Sequence, residues 1–132
     1  MYKLSKLSDY LKGWLSVKVY RFVARNCYQK KMHGVFRGLN FEKAKIPDGE
    51  YEEIMGVINS ELPVPNIIMK NTESWFTNKG YSKFENYILK LLELYEKYSP
   101  RYIREWNIVE TEIQPEQIQY QDEYQVVIKK AA

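Results

Sequence analysis

Cysteine and histidine are almost absent from this chain of 132 residues, which holds one of each, Cys27 and His33. A single thiol closes no disulfide, and one Cys with one His completes no zinc cage, so the fold must stand on its apolar core, which a chain of this length can close unaided. The sequence therefore reads as a single domain over residues 1–132, suited to a reducing compartment, with no metal and no cofactor expected. Clustered glycines are lacking too. The six present, Gly13, Gly34, Gly38, Gly49, Gly56 and Gly80, never form the loop that cradles a phosphate ahead of a helix. No lysine has an acid two positions before it, which removes the metal-dependent nuclease arrangement in which both project from one strand face. Long apolar runs are missing as well: Met1 to Leu15 is interrupted by Lys3, Lys6, Asp9 and Lys12, so neither a signal peptide nor a membrane span is expected there. The expectation is a soluble cytoplasmic protein.

These shortages leave little for catalysis. A nucleophile needs a neighbouring base, and the lone histidine allows only a Cys27–His33 dyad, six residues apart in a predicted turn, which chance spacing explains. Glu110 and Glu112 share a strand face with spacing that suits a hard cation, but a solvated strand face accounts for them more simply. Pro47-Asp48 resembles half of a nuclease signature, yet both residues are favoured at a helix start for local reasons. The chain is expected not to be an enzyme, with no catalytic residue assigned. Carboxylates brought together only in space are the exception that spacing does not exclude.

What is present is an ordinary globular balance, 45% apolar and 28% charged, enough hydrophobicity to fold without a partner. The net charge of +3 conceals an asymmetry. Residues 1–45 carry eleven Lys or Arg against Asp9 and Glu42, a net +9, and residues 46–132 carry nine against fifteen acids, a net −6. Either the basic part meets an external partner, or the two parts pair with each other in the fold.

Periodicity gives the elements. Leu4, Leu7, Leu11, Trp14 and Leu15 share a helical face. Ser16–Ala24 is β-branched and aromatic, a strand in which Arg21 stands out. A turn follows, with a second strand expected over His33–Leu39. Helix is predicted from Gly49 to Ser60 with Tyr51, Ile54, Met55, Ile58 and Leu62 inward, ended by Pro63 and Pro65. Asn66–Lys70 is expected to be extended, and a short helix to run from Asn71 or Thr72 to Asn78. Gly80 reads as a helix stop, and Ser82-Lys83-Phe84-Glu85 as the capping box of the next helix, whose apolar face is Phe84, Tyr87, Ile88, Leu91, Leu92, Tyr95 and Tyr98. Ile103–Ile113 and Tyr120–Lys129 are read as a terminal antiparallel strand pair. The predicted class is α+β: a small antiparallel sheet packed against two to four helices in a single layer pair.

The functional signal lies in the basic segment between Lys18 and Arg37. Arg21, Arg25, Tyr28, Lys30, Lys31, His33 and Arg37 are its candidate binding residues, interleaved with Tyr20, Phe22 and Phe36. Cations bind phosphates and rings stack on bases, which fits nucleic acid, although no helix-turn-helix, RNP or KH pattern accompanies them. An aromatic fraction of 15% exceeds what a small core requires, and surface rings with arginine favour protein interfaces.

In size, in its lone Cys and His, and in the order Glu73-Ser74-Trp75-Phe76-Thr77, long helix, Asp122-Glu123-Tyr124-Gln125-Val126-Val127-Ile128, the chain from Glu73 onward resembles the small accessory proteins of bacteriophages and other bacterial mobile elements, including anti-CRISPR proteins. The resemblance is one of style, and no functional residue is carried over from it. It implies stoichiometric binding, in a bacterial host cell, that inhibits a host defence protein or ribonucleoprotein by blocking a nucleic-acid channel or a conformational change. Many such proteins are acidic nucleic-acid mimics, a pattern from which the basic N-terminal part departs. The expected function is therefore non-enzymatic inhibition of a host protein or ribonucleoprotein. The alternatives are a nucleic-acid-binding accessory protein and a sponge for a nucleotide signal.

Overall fold

The computed structural model describes residues 16–38 and 46–130. The predicted N-terminal helix lies outside them. Strand β1 (Val17–Asn26) is the spine of the molecule, a run of β-branched and aromatic residues with every residue paired on one side. Its partner there is β4 (Ile103–Ile113), in register from Val17 opposite Ile113 to Asn26 opposite Ile103, with one irregularity between Arg25 and Asn26. The other side of β1 is shared. β2 (His33–Gly34) meets it at Val23 and Ala24, and β3 (Thr72–Phe76) meets it only at Tyr20, opposite Phe76. β3 pairs along its whole length with β6 (Gln125–Lys129), which carries β5 (Ile118–Gln121) on its far side. All the pairings are antiparallel, so the sheet has six strands and the fold is α+β.

A four-residue turn of helix, α1 (Val35–Gly38), follows β2, and two longer helices, α2 (Asp48–Glu61) and α3 (Asn78–Tyr98), pack on one face of the sheet. In β1 the alternation of side chains sends Phe22 and Ala24 to that face, where they join Ile58 of α2 and Phe84, Ile88, Leu91, Leu92 and Tyr95 of α3. Intervening residues go to the opposite face, where Val19, Ile113, Val126 and Ile128 are buried in a second cluster beside Trp75.

The apolar faces predicted for both helices are the ones buried. The ends of α3 differ. Thr77, not Ser82, caps it, its Oγ1 accepting from the Gly80 N–H at 3.0 Å, so the Ser82–Glu85 box falls inside the helix. Gly80 does not stop a helix. It is buried in the first turn of α3, because a Cβ there would overlap the Tyr124 carbonyl of the β5–β6 turn. Three further expectations change. Thr72–Phe76 is a strand, not a helix. The second strand is two residues long and turns into α1 at Val35. The run Tyr120–Lys129 is two strands folded on each other at Asp122, whose Oδ1 accepts from the Tyr124 and Gln125 N–H groups, while β4 pairs with β1.

Candidate functional site

Because β1 gives its second edge to β2 at Val23 and to β3 only at Tyr20, the two neighbours diverge, and a cleft of about 710 Å3 opens between them. That is the size of a ligand or peptide site. All of β3 lines one wall, and Met32 to Phe36 line the other.

Main-chain geometry decides what β3 presents to this cleft. The Lys130 N–H donates to the Asn71 carbonyl at 2.7 Å, and the Thr77 N–H to the Tyr124 carbonyl at 3.0 Å. Residues at odd positions therefore turn their polar groups toward β6, and alternation turns those of Thr72, Ser74 and Phe76 the other way. Phe76 finds Tyr20 of β1, while among the described residues Thr72 and Ser74 have no strand beside them on that edge.

The side chains are cationic and aromatic. Arg21 Nη1 lies 3.6 Å from Glu73 Oε2, and the guanidinium stands 5.7 Å from the centre of the Trp75 ring. Trp75 Nε1 donates to the other oxygen of Glu73 at 3.1 Å, so the carboxylate is held from two sides. Gly34 makes room for Arg21: a Cβ there would come within 3.1 Å of Nη2. This explains how an arginine is accommodated midway along an apolar strand. Lys31, His33 and Lys130 also line the cleft, with Glu73 the sole carboxylate among the described residues. Buried Gln125 forms part of the lining and ties the neighbouring loop down, donating through Nε2 to the Pro63 carbonyl and to Asp122 Oδ2. That loop, which joins Leu62 to Thr72 at the cleft, exposes Val64 and Ile68 almost fully and Met69 in part.

Of the seven residues predicted from sequence, the fold brings Arg21, Lys31 and His33 to the cleft. Arg25 is held elsewhere, its Nε 2.9 Å from Glu105 Oε1 and its Nη1 donating to the Gln29 carbonyl at 3.0 Å. Tyr28 and Lys30 are exposed in the turn after β1, and Arg37 falls within α1. Lys18 pairs with Glu110 at 3.1 Å, and this pairing, the largest influence on it, raises the Lys18 pKa. Lys18, Arg21 and Arg25 thus all meet acids of the C-terminal part, and the charge asymmetry is in this measure neutralised within the fold. Glu73, Ser74 and Trp75 escape the sequence reading as site residues, since segment 72–78 carries helix-start residues that mask its strand alternation, and Lys130 escapes it because it lies far in sequence from the basic segment.

Among the described residues, no group of His, Cys, Asp and Glu is placed to hold a metal ion, and no helix is long and apolar enough to cross a membrane. The arrangement offers binding chemistry: a fork of donors, an indole face and a strand edge with no neighbour among the described residues. No family model, curated protein or solved structure matches the chain.

Proposed function

We propose that the chain is a non-enzymatic binding protein that holds an acidic segment of a protein partner in the cleft between β2 and β3. The carrying observation is the convergence of Arg21, Lys31 and Lys130 around one opening, where Glu73 is the single carboxylate among the described residues. An excess of cations there attracts acidic surface and orients it. Trp75 and the exposed Val64, Ile68 and Met69 add apolar area of the kind that anchors interfaces.

The wider reading, inhibition of a host defence protein or ribonucleoprotein by a phage or mobile-element protein in the bacterial cytoplasm, rests on the resemblance in size and composition. A stoichiometric binder with a cationic cleft is compatible with it. The internal pairing of Lys18 and Arg25, which flank Arg21 on β1, weighs against a phosphate-binding track along that strand and favours a protein partner over free nucleic acid.

Affinity capture of the tagged protein from a bacterial lysate, with and without nuclease, tests this. The expected result is a discrete partner that survives nuclease and is lost when Arg21 and Lys31 are both changed to Glu. Loss of everything on nuclease treatment alone would replace this reading with nucleic-acid binding.

A further inference from the structure

An open strand edge is a template for another chain, and proteins blunt the edges they do not use. The long outer edge of β4 is blunted. Its register shifts opposite Arg25, Arg104, Glu105, Glu110 and Glu112 are exposed along it, and the Ile108 N–H is taken by Asn107 Oδ1 at 2.8 Å. Among the described residues, the edge of β3 that faces the cleft has none of these devices. Thr72 and Ser74 turn their main-chain N–H and C=O groups into a space of about 710 Å3, where no strand of the described residues lies beside them.

From this contrast, and resting on the protein-binding reading above, we infer that the occupant of the cleft is an extended segment of the partner that adds to β3 as a strand. Pairing with Thr72 and Ser74 engages roughly four residues of the segment, about 13 Å of extended chain. Its side chains alternate between the two faces of the sheet, and those on the Trp75 face meet Arg21. An acidic residue at that position adds a partner for the guanidinium beside Glu73, while Lys31 and Lys130 receive a second acid. Main-chain bonds supply affinity, and the cationic wall supplies the preference for acids.

The test is selection of random linear peptides of about twelve residues against the full chain, followed by N-methylation of each peptide bond of an enriched sequence. Enriched sequences are expected to be acidic and β-prone, and N-methylation is expected to weaken binding about tenfold at alternate positions only. Ser74→Pro provides a second readout on the protein side. The Ser74 N–H is not part of the β6 ladder, so proline fits the strand while removing one donor to the peptide. Ser74→Pro should weaken the peptide about tenfold with the fold retained by circular dichroism, and Ser74→Ala should not. Enrichment of no peptide, insensitivity to N-methylation, or equal binding by a folded Ser74→Pro variant would overturn the inference. If a nuclease-resistant partner were still captured through Arg21 and Lys31, strand addition alone would have failed. Absence of any such partner would remove the protein-binding reading itself.

Discussion

Arg21 and Glu73 face each other in the cleft at 3.6 Å, and the Trp75 indole holds the same carboxylate at 3.1 Å. The two ends of this pair are therefore not equivalent. Removing Arg21 leaves Glu73 with a donor, whereas removing Glu73 leaves a half-buried guanidinium and an indole N–H each short of an acceptor. Arg21→Ala is expected to lower unfolding stability by less than about 1 kcal/mol, as for other partly exposed pairs. Glu73→Ala should cost more, about 1–2 kcal/mol. Urea unfolding of the two variants checks the order, and capture of the partner should fail for Arg21→Ala despite its milder effect on stability.

Two glycines in helices should respond to alanine with opposite signs. A Cβ at Gly80 overlaps the Tyr124 carbonyl, so Gly80→Ala must push α3 away from the β5–β6 turn, at a cost of about 2–3 kcal/mol. Gly56 in α2 has nothing within 4 Å of an added Cβ, and Gly56→Ala should stabilise by about 0.5–1 kcal/mol through helix propensity. Thermal or urea unfolding reads both.

Local sequence was a sufficient guide wherever one face of one element decided the outcome. The inward residues of α2 and α3 and the strand character of β1 and β4 follow from spacing and β-branching. It misled where distant contacts chose among local signals of similar strength. Thr77 and Ser82 are both competent caps, and a close approach to Tyr124 fixes Gly80 within the first turn of α3. Thr72–Phe76 is a strand because β6 pairs with it from Lys129 to Gln125, a relation no neighbouring residue announces. The cleft was partly legible, through Arg21, Lys31 and His33. Its other wall depends on where β3 leaves β1.

Thr77 serves two structures at once. Its Oγ1 accepts from the Gly80 N–H and donates to the Glu123 carbonyl at 2.7 Å, joining the start of α3 to the β5–β6 turn. Thr77→Ala should cost about 1 kcal/mol as a lost cap, and Thr77→Ser should restore most of it in the same unfolding assay.

Asp122 gives the molecule an acid-sensitive point. Partial burial would raise its pKa, but bonds from the Tyr120 hydroxyl, the Tyr124 and Gln125 N–H groups and Gln125 Nε2 outweigh this and hold it below the ordinary carboxylate value. The unfolded chain then binds the proton more readily, so this stabilisation is complete above the ordinary aspartate pKa of about 4 and is lost as pH falls below it. Asp122→Asn should show a smaller fall in stability between neutral and acid pH than the parent chain, measured by urea unfolding at each pH.

The central claim, that β3 presents an open edge to the cleft, is tested most directly by amide hydrogen exchange of the free protein followed by NMR. The geometry predicts alternation: the Glu73 and Trp75 amides, bonded to β6, exchange slowly, and the Thr72 and Ser74 amides, facing the cleft, exchange fast. Protection of Ser74 equal to that of Trp75 would mean that the edge is already covered, and would contradict the account.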